Sequence, residues 1–267
     1  MVDGLTGELL APVPAVDEAS WRAALADAQS MLADLAVRRG ATGPFRVTDH
    51  DVRAALSAHG GDPGGAPFAW STRTARRALG LAAVRSLVAG RARTPVEGVH
   101  ARVAESSRWV REGTASASQL DRWLAGLPPA ALAAVGAEAV TWATRLWCAL
   151  DWSAFPAPPL LGRDRWWDSP HSALLALRGR ADVRTARSHL VVLTGPRRPS
   201  VRAELTLVTL VEALRARDGA VPGRVIGWWP DSGHLVRVEP GPSVLRSGAE
   251  TVALVLAGTG APVRSAA

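Results

Sequence analysis

The chain has 267 residues, 48% of them hydrophobic, and a formal net charge of +7 that rests on 31 arginines and no lysine. That length suits one large domain or two small ones with a substantial core, and the hydrophobic share excludes a disordered chain. The lack of lysine excludes any reaction that needs a lysine of its own, and the single cysteine, Cys148, excludes an internal disulfide and a Cys-rich zinc site. Tyr and Asn are also absent and Ile226 is the sole isoleucine, a coding bias that accounts for part of the arginine content. The charge favours polyanionic partners, which arginine grips with a planar fork of donors; it equally fits a soluble surface written without lysine.

Residues 1–16 lack the basic start and apolar core of a signal peptide, and no apolar run approaches the length of a bilayer span. The expected location is cytoplasmic, away from membranes. Over 17–39, Trp21, Ala24, Leu25, Ala28, Met31, Leu32 and Leu35 recur at helical steps, with acids at the start and Arg38, Arg39 and Gly40 at the end. A short helix follows, with Thr48 as N-cap, Val52, Ala55 and Leu56 inward, and Gly60-Gly61 as its stop; 60–67 reads as a loop. The run Thr48-Asp49-His50-Asp51 reads as a helix start, where acids are favourable, rather than a metal site.

Ser71 caps a helix to about 89, Thr94-Pro95 opens another ending near 113, and further helices occupy 118–125 and 129–150. Cys148 falls in the last of these, in an apolar stretch that predicts burial. After Asp151 the texture changes to Pro, Trp and turn residues. The boundary is placed there, giving a helical region over 1–155 and a core over 156–267, which are able to pack as one domain.

The second part predicts paired strands at 173–182 and 189–194, a helix over 200–217 with Leu205, Val208, Val211 and Leu214 inward, and a hairpin of 224–229 with 235–238 about the turn Pro230-Asp231-Ser232-Gly233. Residues 250–257 are ambiguous between strand and helix. The fold class is therefore α+β, a helical N-terminal half followed by a mixed β-sheet flanked by helices. No Lys-bearing phosphate loop, Gly-x-Ser-x-Gly elbow or helical His pair is present.

One ordered set of short motifs carries chemistry: Trp70-Ser71-Thr72-Arg73 opening a helix, Glu97-Gly98-Val99-His100 inside a later one, Gly179-Arg180-Ala181-Asp182 ending a strand, and Leu190-Val191-Val192-Leu193-Thr194-Gly195 as the next strand. A helix bearing Glu204 and the strand Val225-Ile226-Gly227-Trp228 complete it. Over about 68–240 this order resembles the RecB-type branch of the PD-(D/E)XK nucleases, which includes CRISPR-associated relatives. The resemblance implies a PD-(D/E)XK-like core with His100 and Asp182 as metal ligands in the ancestral site. Such a site holds Mg²⁺ or Mn²⁺ to activate water and offset charge on the scissile phosphate. The second carboxylate of the family's strand falls at Val191, however, and its lysine at Leu193. Glu204 is the candidate replacement carboxylate.

The resemblance thus implies an inactive nuclease core that has no cofactor. It would bind DNA or RNA, or serve as a subunit beside a nuclease, helicase or other machine in nucleic-acid processing or defence. A divergent metal-dependent nuclease using His100, Asp182 and Glu204 is the alternative, and a protein–protein assembly subunit without nucleic acid is a third reading. A helix-turn-helix regulator is disfavoured by the long connection between its two candidate helices. For phosphate contact the candidates are Arg73, Arg76 and Arg77, one stripe on the Ser71 helix, with Arg180, Arg197 and Arg198 around the core strands. The pairs Trp166-Trp167 and Trp228-Trp229 are candidates for base stacking.

Overall fold

A computed structural model describes residues 3–38, 45–56, 69–115, 117–162, 164–170 and 175–258. The expected Gly60-Gly61 stop, the loop over 60–67 and the Arg39-Gly40 helix end lie outside these residues. In chain order the elements are α1 (Asp3–Leu10), α2 (Glu18–Arg38), β1 (Phe45–Val47), α3 (Asp49–Leu56), α4 (Thr72–Val88), α5 (Pro95–Arg111), α6 (Gln119–Ala125), α7 (Pro129–Ala149), β2 (Leu160–Leu161), β3 (Arg165–Asp168), β4 (Leu175–Gly179), β5 (Val183–Arg184), β6 (Ser188–Val192), α8 (Val201–Arg215), β7 (Arg224–Trp229), β8 (His234–Val238) and α9 (Pro242–Gly258). The protein is α+β, and among the described residues no helix is long and apolar enough to cross a membrane. Two compact units divide the chain: Met1–Glu8 with Pro67–Gly162, and Leu9–Ala66 with Arg163–Ala267.

The first unit is helical. Ser71 closes a reciprocal capping box with Thr74 at the start of α4, and Thr94 followed by Pro95 starts α5 as expected. Gly98 has a packing role: a Cβ there would lie 2.9 Å from Ala83 Cα, so α5 touches the backbone of α4 at that point. A buried carboxylate ties α5 to α6. Asp121 accepts hydrogen bonds from Arg102 at 2.6 Å, Ser106 at 2.7 Å and its own N-cap Ser118 at 2.6 Å. The inward stripe of α7 is Val135, Ala139, Trp142, Ala143 and Leu146. Cys148 is exposed, against the sequence expectation, because two residues beyond Leu146 is roughly the opposite face of a helix with 3.6 residues per turn.

The second unit is built around α8. Twelve of its 15 residues are buried, so it is covered on nearly every side rather than along one stripe. It packs against α9, α3 and α2 and against strands of both sheets. One sheet has the order β1-β4-β3, with β1 parallel and β3 antiparallel to β4. In the other, β5, β6, β7 and β8 lie side by side, with β6 and β7 parallel through the α8 crossover and the outer pairs antiparallel.

The expected pairing of 173–182 with 189–194 is corrected by this topology. Within that run β4 joins β1 and β3, and the hairpin with β6 is made by β5, which begins just after the run ends. The break falls where Gly179 brings β4 against α8, its Cβ position 2.9 Å from Val211 Cγ1, and where Arg180 and Asp182 spend their side chains on backbone groups of β6. Four further elements went unpredicted: α1, β1, and the strands β2 and β3 inside the Pro- and Trp-rich stretch. The ambiguous 250–257 is helix, the last half of α9. Trp228 and Trp229 are buried, at 7% and 5% exposure, because β7 is an interior strand, so they do not offer rings for stacking.

Candidate functional site

Of the residues that the nuclease-like pattern singles out, Asp182, Val191, Leu193 and Glu204 lie in the second unit, where β4 ends, α3 begins and α8 starts, and His100 does not. Asp182 is fully buried. Its backbone N–H donates to Leu190 O and its carboxylate accepts the Val192 N–H, both at 2.7 Å. Arg180 donates to Val192 O at 2.8 Å and sits 3.5 Å from the Asp182 carboxylate. The two side chains therefore bracket Val192 and carry the β5–β6 pairing past the two residues of β5, satisfying backbone groups that would otherwise be stranded in the interior.

Asp49 joins from the first turn of α3. In sequence Asp49 reads as part of the helix start. The capping falls to Asp51 instead, which accepts from Thr48 N–H at 2.8 Å, and this frees Asp49 to turn inward. It meets Arg178 at 3.0 Å, Arg180 at 3.6 Å and Arg53 at 3.7 Å. Burial opposes ionisation of Asp49, and the guanidiniums of Arg180, Arg178 and Arg53 outweigh it, holding the carboxyl at about 2 against an ordinary 3.8.

Glu204, in the first turn of α8, receives two forks. Arg198 donates through Nε at 2.8 Å and Nη2 at 2.7 Å, and Arg53 through Nε at 3.3 Å and Nη2 at 2.8 Å; Ser200 Oγ adds a bond at 2.8 Å. A carboxylate has about four lone-pair positions, so these donors use them all. Burial raises the pKa of Glu204, and the Arg198 and Arg53 bonds more than offset that, leaving it below the usual carboxylate range.

Beneath these charges Val191 of β6 and Leu193 just past its end pack with Val201, Leu205 and Val208 of α8. Asp49, Arg180 and Glu204 share with Val191, Leu193, Leu205 and Val208 a cavity of only about 10 Å³. That is close to the minimum for one water molecule and far below what a phosphodiester needs. The residues do not fit a divalent cation. Among the described residues no group of three or more His, Cys, Asp or Glu side chains is disposed to hold one.

His100 is exposed on α5 in the first unit, whereas Asp182 and Glu204 are buried in the second. Of the α4 stripe, Arg73 is exposed, Arg76 pairs with Glu138 of α7 at 3.0 Å, and Arg77 is half-buried. Arg197 is exposed, whereas Arg180 and Arg198 are engaged with carboxylates.

Sequence reasoning missed a second charged cluster, two turns further along α8. Glu212 pairs with Arg184 at 2.9 Å and Arg165 at 3.1 Å, with His189 4.0 Å away. Burial, only partly opposed by the Glu212 carboxylate, pushes His189 down from 6.5 to about 4, so it is neutral at ordinary pH. The available signal was Glu204 and Glu212 eight residues apart within an apolar run, which puts both on one helix face with Val208 between them. Comparison of the chain with protein-family models, curated proteins and solved structures finds no match.

Proposed function

We propose that this protein is a catalytically inactive relative of the RecB-type nucleases that binds nucleic acid or acts as a subunit of a nucleic-acid-processing or defence complex, and the charge arrangement favours the first. One observation carries the reading. Where the resemblance calls for a carboxylate and a lysine, Val191 and Leu193 line a cavity of about 10 Å³ under a carboxylate already saturated by two arginine forks. In-line attack on a phosphodiester needs an open site, a metal or equivalent charge, and a positioned water. A cavity of this size is not an open site, and the saturated Glu204 carboxylate has no lone pair left to offer a metal or a water.

Binding is supported by how the charges are layered. The side chains of Arg53, Arg178, Arg180 and Arg198 keep 33%, 28%, 18% and 19% exposure, against 13%, 4% and 0% for Asp49, Glu204 and Asp182. The cations lie outermost and the acids beneath them, so a polyanion approaching this side of the unit meets guanidinium N–H groups first.

The test is fluorescence anisotropy of the full chain with labelled single- and double-stranded DNA and RNA, titrated in salt without metal, alongside a cleavage assay in Mg²⁺ and Mn²⁺. The expected result is binding whose log affinity falls by about 0.7 to 0.9 per contacted phosphate for each log unit of salt, with no cleavage. Metal-dependent cleavage lost on Asp182→Ala would establish the divergent-nuclease alternative instead. No binding at low salt would leave the assembly-subunit reading.

A further inference from the structure

Resting on the nucleic-acid reading, we infer that the ligand is single-stranded and follows a strip of arginines interrupted by the ring of Trp166. The strip is continuous. The Arg46 and Arg178 guanidiniums lie 5.7 and 5.9 Å from the centroid of the Trp166 ring. Arg178 reaches Asp49 at 3.0 Å, Asp49 also holds Arg180 and Arg53, and Arg53 shares Glu204 with Arg198. Six side chains from β1, β3, β4, the β4–β5 connection, α3 and the segment before α8 are thereby linked, all within the second unit.

The sheet register explains the aromatic step. Trp166 of β3 stands directly across from Arg178 of β4, and Arg46 of β1 stands across from Ala176 of β4. Because neighbours two apart on a strand share a face, Trp166, Arg178, Ala176 and Arg46 occupy one side of the sheet. Ala176 is the small member, leaving space for the ring and both guanidinium planes to meet over β4. The opposite side carries Trp167, Leu175 and Leu177 into the core. Trp166 thus differs from its buried neighbour Trp167: it is half-exposed and flanked by cations.

Charge and shape select the occupant. Buried carboxylates hold the guanidiniums in place through some of their N–H groups and leave the remaining surface cationic, a pre-ordered arrangement that suits successive phosphates. Two acids work against this: Asp164, 3.9 Å from Arg178, and the exposed Asp168, which the register sets across from Ala176 on the same side of the sheet. An aromatic ring between phosphate-binding arginines takes an unstacked base on the surface that the Arg46 and Arg178 guanidiniums leave exposed, which a single strand offers and a paired duplex does not.

The full chain is titrated by anisotropy with fluorescein-labelled dT₁₅, the matching oligo-U RNA, and a blunt 15-base-pair duplex, using wild type, Arg46→Ala, Trp166→Leu and the control Arg246→Ala on α9. Circular dichroism verifies that each variant is folded. Arg46 is exposed, so its variant tests the strip without emptying the core. The expected pattern is tighter binding to the single strands than to the duplex and a salt slope about 0.7 smaller for Arg46→Ala. Trp166→Leu should weaken single-strand binding about 5- to 100-fold, the effect of losing one stacked base, with Arg246→Ala unchanged. Wild-type binding that neither variant weakens, or equal preference for duplex, overturns the strip while nucleic-acid binding stands. No binding by wild type removes both.

Discussion

Glu204→Ala is the most direct probe of the arginine-filled site. The substitution removes the carboxylate that two forks and a hydroxyl share, leaving Arg53 and Arg198 facing each other across a buried space. Removing one partner of a fully buried pair costs about 3–5 kcal/mol. Both arginines here are partly exposed, at 33% and 19%, and Arg53 keeps Asp49 at 3.7 Å, so the lower end applies. The expected loss is therefore about 3 kcal/mol, or about 6–12 °C in Tm for a chain of this size. Thermal unfolding followed by circular dichroism at neutral pH measures it. Adding Arg198→Met removes one orphaned cation and should recover about 1 kcal/mol or more, the coupling of groups in direct contact. The single variant should also bind single-stranded DNA more tightly at low salt, since it unmasks a positive charge. A Tm within about 2 °C of wild type would refute the reasoning, because it would place both forks among solvated surface pairs of negligible value.

Asp182→Ala leaves the Val192 N–H without its acceptor in a fully buried place. The expected cost is about 1–3 kcal/mol, with faster hydrogen exchange at Val192 and nucleic-acid binding retained below the melting temperature. An unchanged Val192 exchange rate would contradict the bracketing role. The carboxyls of Asp49 and Asp121 are both held at about 2, so each contributes stability that is complete above their ordinary 3.8 and lost as pH falls towards 2. A Tm series from pH 5 to pH 2 should drop steeply in that window, and a flat profile would mean that neither carboxylate is paired as described. His189 is depressed from 6.5 to about 4, so the unfolded chain takes up its proton first and stability declines as pH falls through that interval. His189→Leu should flatten that part of the profile. Gly98→Ala forces a methyl to 2.9 Å from Ala83 Cα and should cost about 1–3 kcal/mol, read from the urea midpoint, with nucleic-acid binding by the second unit unaffected.

Local chemistry made the helices legible in the sequence. Ser71, Thr94 and Ser118 act as N-caps on their own helices, and the apolar spacing of α2, α5 and α7 reports a period that neighbours three and four residues apart create by themselves. Strand β7 was read to the residue, bounded by Gly223 and Pro230, and Asp182 and Glu204 were singled out from the order of motifs. What these acids touch was not legible. Arg178 meets Asp49 across 129 residues of chain, and Arg53 meets Glu204 across 151. No periodicity encodes such a distance, and an arginine destined for a buried carboxylate looks, in sequence, like one destined for water. Nor did the run over 173–182 reveal that its strand belongs to a different sheet from 188–192, since a strand's composition reports burial and not its neighbour. Residue types and helical periods are properties of the chain alone. Which guanidinium neutralises which carboxylate is decided by tertiary packing, because a buried charge must find its partner wherever the fold brings one within hydrogen-bond reach.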